Sequence, residues 1–206
     1  MRTYVYVDGF NLYHRALKNT PHKWLDLKAL FTTILDPSHE ILAIKYYTAL
    51  VTGRGDPQRP IRQKSYLRAL RFLIPELTIQ YGHFMSHSTT ALLEKPIAEQ
   101  KFARIIKTEE KGSDVNLAVH LLNDSWLNLY DCAVVVSNDS DLCEAIRLAK
   151  QQHGKIIGVA IPWNSHPSKE LLAHANFSKH IRQNALAVCQ LPSPIPGTAI
   201  YKPASW

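Results

Sequence analysis

The chain is expected to fold as an α/β protein, a three-layer α/β/α sandwich around a mostly parallel central sheet. Three observations carry this. Apolar, β-rich strings recur along the chain, each followed by a segment with helical spacing, and that alternation builds parallel sheets from strand–helix–strand units. The strings are apolar on both alternating faces, as in Tyr4–Val7 and Cys132–Val136, the pattern of a strand covered on both sides. Acidic residues stand where strands hand over to helices: Asp8 after the first string, Asp139 and Asp141 after Val134–Val136.

Taken in order, Tyr4-Val5-Tyr6-Val7, bounded by Asp8-Gly9, predicts a first, central strand. A helix is expected from Phe10 to about Lys18, broken by Asn19-Thr20-Pro21. Leu27, Leu30, Phe31, Ile34 and Leu35 recur at helical spacing and predict a second helix, which Asp36-Pro37 stops. Ile41 to Val51 predicts the second strand, and Gly53 to Pro60 a loop rich in Gly, Pro and Arg. Pro60 suits a first helical position, ahead of a helix with Leu67, Leu70, Leu73 and Ile74 on one side. Lys64, Arg68 and Arg71 form a basic ridge beside that face, extended by Arg54, Arg59 and Arg62. A solvated face and a phosphate-contacting face are both compatible with such a ridge.

Leu77 to Phe84 alternates as a strand should, residues 85 to 99 are expected to be an irregular excursion, and Lys101 to Thr108 either an edge strand or a helix. Ser113 is placed to cap a helix with Val115, Ala118, Val119 and Leu122 inward. Cys132 to Ser137 is the clearest strand, followed by a helix from Ser140 to Gln152 closed by Gly154, a strand over Ile156 to Ile161, and a last helix over Lys169 to Ala175. Beyond Cys189, Pro192, Pro194, Pro196 and Pro203 exclude a regular element, with Tyr201 and Trp206 as the anchors available. The expected division is a folded domain over residues 1–182 and a Pro-rich tail over 183–206.

At 206 residues, with 46% hydrophobic and 20% charged residues, the chain can bury a full core. Its formal net charge of +7 points to an anionic partner, nucleic acid before a membrane surface. Cys132, Cys143 and Cys189 have neither zinc-type spacing nor the even count of a disulfide framework. Asp8 interrupts any signal-peptide core and no apolar run is long enough to span a bilayer, so a cytoplasmic location with reduced thiols is expected.

Each carboxylate has an ordinary explanation alone: Asp139 and Asp114 as helix caps or dipole partners, Asp8 as a turn residue. Jointly, Asp8, Asp114, Asp139 and Asp141 place acid at several strand-to-helix switches of one sheet, where ligands of parallel α/β folds bind. Carboxylates gathered without a cation repel, and without nearby Cys or paired His they favour Mg²⁺ or Mn²⁺. Such an ion can activate a water for in-line attack on a phosphodiester. A dinucleotide-binding reading fails for want of a G-x-G-x-x-G after the first strand.

Three blocks, Tyr6-Val7-Asp8-Gly9-Phe10-Asn11-Leu12-Tyr13, Lys111-Gly112-Ser113-Asp114-Val115-Asn116-Leu117-Ala118 and Val135-Val136-Ser137-Asn138-Asp139-Ser140-Asp141-Leu142, resemble the signature blocks of NYN domains, which belong to the PIN-like nucleases. Lys45-Tyr46-Tyr47, Arg62 to Leu70 and Ile156 to Ile161 extend the resemblance over most of residues 1 to about 182. It implies a PIN-like Rossmannoid fold and a Mg²⁺- or Mn²⁺-dependent endoribonuclease acting on single-stranded or structured RNA. Carried over by position, Asp8, Asp114, Asp139 and Asp141 would form the metal pocket, with Asp8, Asp114 and Asp139 innermost. Asn11 would steady Asp8 or touch the scissile phosphate, Ser137 would orient the carboxylates, and Lys111 would meet a phosphate. Arg62, Lys64, Arg68 and Arg71 would hold the strand. The chain departs from the pattern at His120 and Asn176, where relatives commonly carry acids. A non-catalytic RNA-binding or scaffold module with the same fold is therefore the alternative, and an exposed sheet edge leaves a homodimer open.

Overall fold

The computed structural model describes residues 1–97, 99–163, 166–204 and 206. Six strands, β1 (Arg2–Asp8), β2 (Glu40–Thr48), β3 (Leu77–Tyr81), β6 (Cys132–Val136), β7 (Ile156–Pro162) and β8 (Phe177–Ile181), form one parallel sheet. Between β3 and β6 the chain makes a separate two-stranded antiparallel ribbon, β4 (His83–Ile97) and β5 (Gln100–Lys111). The helices are α1 (Gly9–Leu12), continued by a π-helical turn over Tyr13–Leu17, then α2 (Leu27–Ile34), α3 (Gln58–Leu73), α4 (Ser113–Trp126), α5 (Cys143–His153), α6 (Lys169–His174) and α7 (Gln183–Val188).

The order across the sheet is β3-β2-β1-β6-β7-β8. The chain thus winds outward from β1 in one direction, then returns to the other side of β1 and winds outward again. The crevice between the carboxyl ends of β1 and β6 is the switch point at which such sheets bind ligands. Register makes the location specific: Val7 pairs with Val136, so Asp8 and Ser137 leave the sheet side by side.

Alternation along the central strands divides the core into two layers. Val5, Val7, Val134 and Val136 pack towards Leu30, Phe31, Leu67, Leu70 and Leu186 of α2, α3 and α7. Tyr6, Ala133 and Val135 pack towards Leu117, Leu121, Ile146 and Leu171 of α4, α5 and α6. Both layers exclude water, which is why β1 and β6 carry apolar residues at consecutive positions. The predicted three-layer α/β/α sandwich is the fold.

Residues 85 to 99 are not irregular through Ile97, and Lys101 to Thr108 joins no edge of the main sheet. Both belong to the ribbon, in register from His83↔Lys111 to Leu92↔Phe102. Both its faces meet solvent, so the sequence carries no buried-face alternation to announce it, and Leu92, Ile97, Phe102 and Ile106 are exposed along it. In α4 the inward side is Leu117 and Leu121, while Val115 and Val119 are exposed. Two apolar stripes compete on that helix. The stripe with Leu117 and Leu121 is the one that packs on the sheet, and the helix starts at Ser113 behind Gly112, a left-handed N-cap at φ +97°. Strand β8 was not expected, because Phe177-Ser178-Lys179-His180-Ile181 is an edge strand with only Ile181 fully buried.

The residues beyond β8 pack back on the α2/α3 layer. Leu186, Leu191, Ile195 and Ile200 are buried there, and Trp24 donates its indole N–H to Pro192 O at 3.0 Å. Trp206 lies 5.6 Å from Trp24 and 5.4 Å from Tyr66, centroid to centroid. Tyr201, the other expected anchor, is exposed. No helix among the described residues is long and apolar enough to cross a membrane.

Candidate active site

Asp8 is the last residue of β1 and the N-cap of α1, so one side chain both closes a strand and starts a helix. It is 4% exposed. Its Oδ1 accepts the backbone N–H of Asn11 at 2.9 Å, and its Oδ2 accepts the hydroxyl of Ser137 at 2.9 Å. Those bonds favour the anion, but burial outweighs them, and with the Asp114 and Asp139 charges nearby it pushes the Asp8 carboxyl up to about 6.

Ser137 is the hub of this corner. It is fully buried directly after β6, and its Oγ donates to Asp8 while accepting the backbone N–H of Asp139 at 3.1 Å. Asp139 caps the short 3₁₀ turn Ser140–Leu142 that leads into α5, with its Oδ1 accepting from Asp141 N at 3.1 Å. Asn11 reaches across from α1, where its Oδ1 accepts from Asn138 N at 3.3 Å. Asn138 in turn donates to His166 O and accepts from Ser168 N, both at 2.7 Å, and so ties the loop to the approach of α6. Asp141 itself is exposed at the rim.

Asp114 arrives from the third direction, in the first turn of α4. Its carboxyl is raised by partial burial first and then by the charges of Asp139, Glu110 and Asp141. Asp8, Asp114 and Asp139 therefore feel one another across the switch point, although they come from three distant stretches of chain. Among the described residues no three His, Cys, Asp or Glu side chains close into a ligating set. Burial first, and then neighbouring carboxylate charge, raises the Asp8 and Asp114 carboxyls. Chemically, Asp8, Asp114 and Asp139 are the residues able to hold a hard cation here, since the corner offers oxygen donors and neither thiolate nor paired imidazole.

Glu110 is a member of this corner that sequence reasoning did not single out. It accepts the Ser113 N–H at 3.1 Å and the Ser113 hydroxyl at 2.7 Å, tying the end of the ribbon to the start of α4. The only sequence signal is its position three residues ahead of Ser113. Lys111 stands beside it at the ribbon's base, exposed, 3.6 Å from Glu109.

The basic residues separate into two groups. Arg62 lies near the start of α3, paired with Asp56, and lines a cavity against Gly9 and Phe10. Lys64, Arg68 and Arg71 lie on the exposed side of α3, where Arg71 donates to the Tyr81 hydroxyl at 3.1 Å and covers its ring. At 1.5 Å per residue, Arg71 is about 13 Å further along the helix than Arg62. The ridge thus runs along the flank while Arg62 stays beside the β1–α1 turn.

Both departures from the expected acidic pattern have structural partners. His120 Nδ1 is 3.0 Å from the Tyr47 hydroxyl. Asn176 exchanges backbone and side-chain hydrogen bonds with Ile157, at 2.7 and 3.0 Å, and so sets the start of β8 against β7.

Comparison with known proteins bears on the family and the fold. A family model described as the NYN domain matches residues 2–181. The chain is 34% identical over 237 aligned residues to a Pseudomonas putida protein named 6-hydroxy-3-succinoylpyridine 3-monooxygenase HspA, with 100% of this chain and 75% of that protein covered. A crystal structure of a Vibrio parahaemolyticus protein of unknown function, VPA0982, superposes with a TM-score of 0.59 at 16% identity, covering 89% of this chain and 94% of that one. A likeness at that identity speaks to the fold, and it is the PIN-like α/β fold. With its three motif blocks inside the matched span, this chain is a member of the NYN domain family.

Proposed function

We propose that the protein is a metal-dependent endoribonuclease whose site is the acidic corner at the carboxyl ends of β1 and β6. The observation that carries this reading is the state of Asp8: a buried carboxylate at the topological switch point, held by Ser137 and Asn11, with its pKa raised in part by Asp114 and Asp139. Anionic groups gathered at a sheet's ligand-binding edge are stabilised by a cation, and the donor set fits Mg²⁺ or Mn²⁺. Asp8, Asp114 and Asp139 would hold it, with Asp141 at the rim. Once bound, such an ion supplies an activated water and neutralises charge developing on a phosphodiester. Asn11 and Ser137 fix the carboxylates in place, so that little reorganisation accompanies the reaction. Lys111, Arg62 and the surrounding positive surface favour an RNA backbone near the corner.

The test is cleavage of single-stranded and structured RNA by purified protein with Mn²⁺ or Mg²⁺. Asp8→Asn and Asp139→Asn are expected to abolish cleavage with the circular dichroism spectrum unchanged. Cleavage that persists in both variants and in excess EDTA contradicts the assignment. RNA binding with no metal-dependent turnover supports instead a scaffold that keeps the fold without the reaction.

A second reading has an observation of its own, the full-chain similarity to a protein named as a monooxygenase of a substituted pyridine. On that reading the same fold serves a small aromatic substrate. Oxygen uptake with 6-hydroxy-3-succinoylpyridine and a two-electron reductant separates the two, because RNA hydrolysis consumes no oxygen.

A further inference from the structure

A cavity of about 80 Å³ opens beside the acidic corner, between the β1–α1 turn, the end of β2 and the first turns of α3. A single water needs roughly 10–15 Å³ on the same kind of measure, so this space admits a larger body. Its walls are unusually rich in rings: Phe10, Tyr13, Tyr46, Tyr66 and Trp206. Its cations are Lys23, Arg59 and Arg62, and none of its lining residues is acidic. Arg62 is engaged by Asp56, whereas neither Arg59 nor Lys23 has an acidic partner among the described residues.

The rings are held by the fold. Gly9 makes room for Tyr46: a Cβ at Gly9 would sit 2.7 Å from the Tyr46 ring and 2.7 Å from Tyr47 O. Tyr66 donates its hydroxyl to Leu25 O at 2.8 Å, and its ring meets Trp206 edge-on at 78°. Flat, fixed walls of this kind stack on or edge against another ring, and the guanidinium of Arg59 offers a planar fork to a carboxylate or phosphate. Gly9 and Phe10 follow Asp8 directly, so the cavity lies on the Asp8 side of the acidic corner.

We propose that this cavity binds a planar aromatic ring carrying an anionic group, with the ring among Tyr46, Tyr66 and Trp206 and the anion on Arg59 and Lys23. Two sources share that chemistry: a nucleotide of an RNA strand and a free aromatic acid. The inference stands on the cavity and not on the nuclease reading.

Calorimetry and tryptophan fluorescence of the full chain in EDTA test it, with adenosine and uridine 5′-monophosphates in one arm and nicotinate and 6-hydroxy-3-succinoylpyridine in the other. Cyclohexanecarboxylate is the control anion without a flat ring. At least one aromatic arm is expected to bind 10-fold or more tightly than the control and to quench fluorescence. Arg59→Gln should weaken that binding at least 5-fold, and Trp206→Leu should weaken it and reduce the quench. Binding in the nucleotide arm alone identifies the source as RNA, and binding in the acid arm alone identifies a small aromatic acid. Asp8→Asn, expected to end cleavage, should leave binding intact, so failure of the nuclease reading and failure of this one appear in different measurements. No binding of either class at millimolar concentration overturns the proposal, as does binding indifferent to both substitutions in folded protein.

Discussion

At the scale of single residues, Asp8 is where function and stability pull against each other. Its carboxyl rises from 3.8 to about 6 in the folded chain, with burial as the largest cause. A raised carboxyl means that the folded state holds the proton more tightly than the unfolded one, so Asp8 favours folding below pH 3.8 relative to higher pH. The resulting penalty grows as pH rises from 3.8 through 6 and is complete above that, at about 3 kcal/mol. Asp8→Asn is therefore expected to raise the urea midpoint at pH 8 and to change it little at pH 3.5; an equal shift at both values would contradict this origin. Asp124 is the opposite case. It is buried, accepts the Tyr6 hydroxyl at 2.6 Å and pairs with Lys45, which is mostly covered. Asp124→Ala strands that cation and should destabilise the fold by about 3–5 kcal/mol in chemical denaturation. The carboxylates at strand ends were readable from sequence because the apolar string before each one marks where the sheet stops. Glu110 was not, since its place in the corner depends on how distant segments return.

At the scale of elements, the ribbon decides where Asp114 arrives. Its base is closed by Gly82, whose N–H donates to Thr48 O at 2.8 Å. A Cβ at Gly82 would meet the Glu110 carboxylate and lie 2.5 Å from Lys111 O. Backbone cannot yield as a flexible side chain can, so Gly82→Ala should cost about 1–3 kcal/mol. It should also displace the start of α4 and lower metal-dependent cleavage by more than the stability loss explains; unchanged cleavage would show that the ribbon's base does not position Asp114. The central strands and α2, α3 and α5 were legible because burial on a fixed face writes a period into the sequence. The ribbon was legible only in part: a strand over Lys101 to Thr108 was one of two readings, whereas its partner, with solvent on both faces, has no such period. Strand β8 failed similarly, and the phase of α4 was lost because two apolar stripes were available and only packing against the sheet buries Leu117 and Leu121.

At the scale of the whole molecule, winding outward from β1 in both directions gives the chain one crevice, and all three motif blocks end in it. The net charge of +7 belongs to the molecule, while that crevice is acidic. On the proposed reading, a divalent cation would reconcile an acidic pocket with an anionic substrate drawn to a basic surface. Motif placement in the sequence put Asp8 and Asp139 at the ends of neighbouring strands, as they stand; the cavity of rings was hidden, since its ring-bearing walls come from four separated segments. The most direct measurement is anomalous diffraction from a crystal soaked in Mn²⁺. The account predicts one strong peak within bonding distance, about 2.0–2.3 Å, of oxygens from Asp8, Asp114 and Asp139. No peak there at saturating Mn²⁺, or a peak held only by other residues, would contradict it.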